Sequence, residues 1–590
     1  MKVFVTESTP MRNWRCEMKL PKYCKWVTSA VMTLGLLLSV ASLEAAPPTF
    51  TKRPTLGPNS NLRAPMVGML RFTVDQPVTT IVSINDRSRR WEMEFDSSWD
   101  PSKGIPLIGL EADVRHEVFV SVRNSAGEIT RFPNKLVFVP QPMVSATGDN
   151  PRIRVTKISP QRTEPGYTLF VLRRAVPIRP PYRSAGQFNF MRQWGALVIV
   201  DDHGRIVWRY ESDSRIAGVD QFEDGNILFH RADNRTLEVD LFGNIVNQWY
   251  AARNPEITSS AGVGIEVETL HHQPHEMPNG NFLALTANAR MVKGYYDDAF
   301  DLSKRRDRMV MGDDIVEIDR KTGKVLWRWS AWDHLDPFRI GYEATNAYWP
   351  TRGFPDHADW THGNGVTYDP TDDSVLVSFR HQEAILKIDR KSSQVKWILG
   401  RPGGWGKLES KVLRPVGEPF RWPSHQHNPH ISTSGSIVVY DNGFLRARPP
   451  EPWMAPEKSF SRGVEYKVDE KTMTVRQLWA SHEGPVADSC FSWAMSDARQ
   501  LPKTGNILII DAICADREMG LSVDEFTAQK YVSEVPSYGR IREYDHATKE
   551  VLFEVIVEDP NELIAYELFG GLRISSLYPP GRAPKIRSLP

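Results

Sequence analysis

An internal repeat constrains this chain more than any other feature. One unit is an Asp, a turn, a short apolar stretch and an aromatic. It reads Asp201-Asp202-His203-Gly204-Arg205-Ile206-Val207-Trp208. It returns as Asp240 to Trp249, Asp319 to Trp327, Asp389 to Trp397, Asp469 to Trp479 and Asp545 to Phe553. A second unit precedes it, a Gly turn running into an apolar strand. Examples are Asp224-Gly225-Asn226-Ile227-Leu228, Asn279-Gly280-Asn281-Phe282-Leu283, Ser434-Gly435-Ser436-Ile437-Val438 and Thr504-Gly505-Asn506-Ile507-Leu508. Asp372-Asp373-Ser374-Val375-Leu376 fills the same slot without a glycine. The glycine supplies the positive φ of a tight hairpin turn. Helical periodicity is almost absent, so each repeat reads as short antiparallel strands whose edges need cover. Closing the repeats into a ring provides it. Six copies, most of them about 70 to 80 residues apart, predict a six-bladed β-propeller. A seventh blade would need strands from earlier in the chain.

Alternating runs such as Met69-Leu70-Arg71-Phe72-Thr73-Val74 and His116-Glu117-Val118-Phe119-Val120-Ser121-Val122 precede the repeats. With turns between them, they read as a small β-sandwich. At the start, basic residues up to Lys25 lead into an apolar run, Val31 to Ala41, followed by Ala45-Ala46 and Pro47-Pro48. That is the order of a secretory signal. The apolar core is short against the roughly 20 residues of a spanning helix, which favours cleavage over a retained anchor. The expected fold class is therefore all-β. Residues 1–46 are the export segment, 47–150 the N-terminal β-sandwich and 151–590 the six-bladed propeller. The expected location is periplasmic or secreted.

With 73 Lys and Arg against 72 Asp and Glu, the chain lacks the excess of positive charge that a nucleic-acid partner would call for. Beyond the leader, which holds Cys16 and Cys24, only Cys490 and Cys514 remain. An exported chain could bridge them; two buried thiols are the alternative.

The repeats also expose candidate chemistry. Counting back eight residues from Gly280 and Gly435 gives His272 and His427. His272-Gln273-Pro274-His275 aligns without gaps on His427-Asn428-Pro429-His430, and His362-Gly363-Asn364 takes the corresponding place in the blade between. Equivalent positions of a propeller surround one axis, so three blades aim a His at one channel mouth. A lone His is usually structural; three at one repeat phase are a candidate site. Two chemistries compete: a three-His metal site and catalysis by the imidazoles themselves. No metalloprotease helix, nucleophile elbow, P-loop or dinucleotide fingerprint is present.

Several segments resemble the bacterial aryl-sulfate sulfotransferase family. They are Asp359-Trp360-Thr361-His362-Gly363-Asn364-Gly365-Val366-Thr367-Tyr368-Asp369-Pro370, Ser378-Phe379-Arg380-His381-Gln382 and Lys387-Ile388-Asp389-Arg390 through Gly400. Gln426-His427 with Val439-Tyr440-Asp441-Asn442-Gly443, and the tail Arg573 to Tyr578, complete the set. The resemblance covers the chain from about residue 48 onward, because that family also has an N-terminal β-sandwich. It implies transfer of a sulfuryl group from a phenolic sulfate donor to a phenol acceptor, without a nucleotide donor, cofactor or metal. It implies a ping-pong route through a sulfohistidine. The nucleophile falls on His427, with His362, Asn364 and Arg380 in support and a further His at His271 or His272. Repeat phase favours His272. His425 lies two residues before His427 and competes for either role. The resemblance allows a homodimer, but no interface is legible. Two other classes fit the residues: a metal-dependent hydrolase or lactonase, and a non-catalytic propeller that presents its face to a partner.

Overall fold

The computed structural model describes residues 46–141, 151–176, 184–257, 259–346, 348–454, 458–485, 490–514 and 537–589. The expected export segment, with Cys16 and Cys24, lies outside them apart from Ala46. The described residues form an all-β fold, and those from Pro47 onward belong to one compact unit.

Six sheets of four or five strands, antiparallel apart from short parallel pairings in three of them, carry the repeats. Their innermost strands are Ala565–Ile574, Ile216–Gln221, His271–Glu276, Gly363–Asp369, His427–Ile431 and Asp497–Gln500. Each innermost strand touches the next, and the last touches the first, so the sheets surround a common axis as blades of a β-propeller. We number the blades in that order. Side chains stitch neighbouring blades together near the axis. Val219 donates its N–H to Gln273 Oε1 at 3.2 Å, Thr367 Oγ1 donates to Pro429 O at 2.5 Å, and Asn428 Nδ2 donates to Ser496 O at 3.2 Å.

Both repeat units fall on hairpin turns. The Asp units join the third and fourth strands of each blade, counted from the axis. Asp201 Oδ1 accepts the N–H groups of His203 and Arg205 at 2.9 and 3.0 Å, and Asp545 Oδ1 those of Ala547 and Thr548 at 3.0 and 2.8 Å. An Asp carboxylate that satisfies its own turn's donors explains why this residue recurs. The glycine units join the first and second strands of blades two to six. Gly225, Gly280, Gly435 and Gly505 have φ of 91°, 78°, 71° and 77°, and Asp373 takes the left-handed position at 51°. The aromatics fill the spaces between blades. Trp208, Trp249, Trp397, Trp479 and Phe553 are buried, whereas Trp327 is half-buried and Trp329, two residues on, takes the interior place.

Strands from both chain ends close the ring. In blade one the innermost strand, Ala565–Ile574, pairs with Tyr167–Ala175; in blade six Arg152–Ile158 pairs with Val551–Glu558. Before the propeller lie two small antiparallel sheets within residues 50–138. The chain's last strand, Lys585–Leu589, returns to pair with Arg90–Phe95 there. Sequence patterning does not show this return, because the tail carries no alternating apolar face. Cys490 and Cys514 form a disulfide with Cα atoms 5.0 Å apart. Among the described residues no helix is long and apolar enough to cross a membrane.

Candidate functional site

The histidines gather at one mouth of the ring, on the inner ends of blades three to five and the loops that follow. The rings of His272 and His362 have centroids 4.9 Å apart, and His362 lies 4.6 Å from His381. Tyr348 packs 4.6 Å from His362 and stacks at 5.8 Å on His272. His272, His362, His381 and His427 are all buried.

His427 opens the innermost strand of blade five, and its tautomer follows from its neighbours. Asn442 Nδ2 donates to Ser492 O at 2.6 Å and Met495 O at 3.1 Å, which fixes the amide. Asn442 Oδ1 therefore faces His427 Nδ1 at 2.7 Å as an acceptor, so Nδ1 carries the proton. Nε2 is then unprotonated and accepts the Met495 N–H at 3.1 Å. Burial, with the nearby Arg380 charge, pushes this imidazole down to about 3, so it is neutral at physiological pH.

His362 differs. It precedes the strand Gly363–Asp369 in a left-handed conformation (φ 48°), and its Nδ1 lies 2.5 Å from Asp359 Oδ2. Trp349 Nε1 donates to the other carboxylate oxygen at 2.8 Å. Burial, with Asp313 near, holds the Asp359 carboxyl well above its ordinary range. Burial, with His381 near, holds His362 well below its own. Both directions favour a neutral pair sharing one proton, which leaves Nε2 of His362 outside that bond.

Arg380 is buried, and its fork is held from three sides. Nη1 pairs with Glu343 and meets His381 Nε2 at 2.9 Å, while Nη2 donates to Trp493 O at 3.1 Å. His381 donates through Nδ1 to Asp359 O at 2.5 Å, so its Nε2 is free to accept from Arg380. The Nε–H of Arg380 is buried without an acceptor among the described residues. Asn364 is fully buried and donates to Gln426 O at 2.7 Å, bracing blade four against blade five.

His271 and His272 meet Nδ1 to Nδ1 at 2.8 Å, and His271 Nε2 lies 3.2 Å from Asp313. Strand register refines their place. His271 sits opposite Leu285 and His427 opposite Tyr440, each five residues past the turn glycine. The next residue is left-handed in both, His272 at φ 61° and Asn428 at 49°. His275 and His430 then share the next station, opposite Leu283 and Val438. Blade three thus carries one extra residue in its bulge. The gapless alignment holds at the outer end of the strand and slips by one at the inner end, where His271 matches His427. The bulge nonetheless brings the His272 ring, not that of His271, against His362. His425, left-handed at φ 50°, lies 3.0 Å from Glu383 and packs on Phe444, with its ring 6.1 Å from that of His381.

Asp359, Glu343, His381, Tyr348 and Asn442 escaped sequence reasoning as site residues. Asp359 stands three residues before His362, and His381 follows Arg380. Both also fall within the segments that carry the family resemblance. Asp359, His362 and His381 also offer three ligand atoms within 4.8 Å of one another, a side-chain set that could hold a metal ion. His362 Nδ1 and His381 Nδ1 are both spent on bonds to Asp359.

Fold and site together define a propeller with a buried, mostly neutral imidazole cluster beside an arginine at one mouth. A family model described as Arylsulfotransferase (ASST) matches residues 144–567, and the chain belongs to that family. The arylsulfate sulfotransferase AssT of Escherichia coli O6:H1 (strain CFT073) is 31% identical over 340 residues, 49% of this chain and 51% of that one. The AssT of Lelliottia amnigena is 29% identical over 340 residues, 49% of this chain and 53% of that one. The chain thus matches these curated relatives over about half their length. A solved protein of unknown function from Bacteroides caccae gives a TM-score of 0.33 at 12% identity, covering 69% of this chain and 99% of that one.

Proposed function

We propose that the protein transfers a sulfuryl group from an aryl sulfate to a phenol in two steps, through a sulfohistidine at His427. The observation that carries this reading is the tautomer lock on His427. Asn442 holds the proton on Nδ1, burial keeps the ring neutral, and Nε2 keeps its lone pair. In the first step Nε2 forms an N–S bond while the ester S–O bond breaks, with its electron pair going to the phenolate oxygen. Sulfuryl transfer needs in-line positioning and charge stabilisation more than covalent assistance. Arg380 supplies positive charge, and the Met495 amide turns from Nε2 to a sulfuryl oxygen.

Phenolate is a poor leaving group, with an ordinary pKa of about 10. His362 protonates it from Nε2, and the proton shared with Asp359 moves to Nδ1 to restore a neutral ring. In the second step His362 takes the acceptor's proton as its oxygen attacks sulfur and the N–S bond breaks. His272 positions His362 by ring contact, and Asn364 maintains the blade spacing beneath both.

Family membership and the two AssT relatives support this assignment. We also place the protein outside the cytoplasm, which the Cys490–Cys514 bridge supports. The direct test is transfer from 4-nitrophenyl sulfate to phenol. His427→Ala should lower turnover by at least about 10³-fold; near-normal turnover would remove His427 from the nucleophile role. The second reading, metal-dependent hydrolysis, draws on the Asp359–His362–His381 grouping. It requires that a chelator abolish activity and added zinc restore it; the sulfotransferase reading expects no effect of either.

A further inference from the structure

Arg173 lies on Tyr167–Ala175, the strand that pairs with the innermost strand of blade one. It is 8% exposed. Its guanidinium makes no hydrogen bond to a described residue, and its Nε–H is fully buried. Glu567 lies 3.8 Å from that Nε, but Glu567 is already bonded by Arg215. Arg352 adds a third positive charge that both arginines feel. Burial, then repulsion from Arg215, pushes Arg173 well below its ordinary range. Desolvating a guanidinium beside other guanidiniums costs folding free energy, and a core built only for stability would place an apolar residue there.

The position suggests what offsets that cost. The Arg173 guanidinium lies 4.8 Å from the Phe569 ring, which also lies 5.8 Å from His272. Arg352 lies 3.7 Å over Tyr348, the ring that touches both His272 and His362. Each cation thus shares one aromatic neighbour with the histidine cluster, and His272 feels the charge of both. A planar guanidinium with uncommitted donors is suited to a carboxylate or sulfate oxygen pair.

We propose that Arg173 is a specificity-determining residue that binds an anionic substituent on the aromatic ring of the substrate, while the ring's sulfate ester or hydroxyl occupies the histidine cluster. This rests on the sulfotransferase reading for the role, though not for the binding. A substrate of this class is a phenol bearing a ring carboxylate or second sulfate, as donor or as acceptor.

The test separates the two. Calorimetry on the full chain compares 4-hydroxybenzoate with uncharged 4-hydroxybenzamide, using wild type, Arg173→Gln and Arg173→Lys. Wild type should bind the benzoate at least about tenfold more tightly. Arg173→Gln should erase that ratio with little change for the amide, and Arg173→Lys should keep part of it. Equal wild-type affinities, or equal losses for both ligands in Arg173→Gln, would overturn the proposal. If Arg173→Gln does not fold, the wild-type ratio and the Lys variant decide. A kinetic arm, with 4-nitrophenyl sulfate as donor and each ligand as acceptor, reads the same ratio in kcat/KM. A second, with 4-sulfooxybenzoate against 4-nitrophenyl sulfate, reads it on the donor side. Discrimination in binding without any transfer would sink the sulfotransferase reading and leave the arginine site standing; transfer without discrimination would do the reverse.

Discussion

His427 and His362 are both buried imidazoles, yet their Nδ1 atoms face an amide and a carboxyl respectively. A neutral amide fixes a tautomer and favours the imidazolium less than a carboxylate would, so burial still keeps the ring unprotonated, as a nucleophile requires. A carboxyl partner can pass or hold a proton, which suits an acid and base. Asn442→Asp tests this division. A carboxylate at Nδ1 favours the charged ring and raises the His427 pKa. Wild-type turnover should not lose its nucleophile to protonation until about pH 3. The variant should develop an acid limb, with kcat at pH 5.5 about tenfold below that at pH 8. A flat profile in the variant would mean that Asn442 does not set the state of His427. Repeat phase along the chain singled out His272, His362 and His427, whereas Arg380, Asn364 and the nucleophile role of His427 came only from the family resemblance. Sequence reasoning missed Asn442 and Glu343 as partners because their contacts cross from one strand or loop to another.

Among elements, the left-handed residues at the inner ends of the strands decide where the rings point. Gly218 is one of them, in blade two at φ 71°, and a Cβ there would stand 2.5 Å from His272 O and 2.7 Å from Gln273 Cα. Gly218→Ala combines a strained φ with a backbone clash. It should destabilise by about 1–3 kcal/mol in urea unfolding. It should also reduce kcat by displacing His272, whereas Gly280→Ala, with nothing within 4 Å of its Cβ, should leave kcat unchanged. Equal kinetic effects from both would show that the bulge does not place the ring. Turn chemistry was legible in the repeats, since an Asp or Gly at a turn answers to local sterics. The extra bulge residue of blade three was not, because a ladder register is set by the partner strand.

At the scale of the molecule, the ring is closed by strands from both ends of the chain, and a large core holds several histidines in their neutral form. Burial pushes His116 to about 4 and His230 to about 3, as it does His427. Between these values and the ordinary His range near 6.5, the unfolded chain binds more protons than the folded one. Stability from these groups is complete above about pH 6.5 and is lost as pH falls. Each contributes a slope of about 1.4 kcal/mol per pH unit within that window. Thermal unfolding followed from pH 7.5 to 5 should show a steadily falling Tm, and an unchanged Tm would contradict the neutral burial. The repeats foretold an all-β ring, because six copies of one hairpin signal leave few ways to cover their edges. The return of Lys585–Leu589 to the N-terminal sheet has no such signature, since edge pairing of a polar strand depends on what lies beside it.

The most direct measurement is a single turnover with an aryl sulfate and no acceptor, followed by alkaline peptide mapping. The sulfuryl group should appear on His427, within the segment His425-Gln426-His427-Asn428, and should leave when phenol is added. A label on another residue, or continued transfer with no labelled residue at all, would contradict a covalent route through His427.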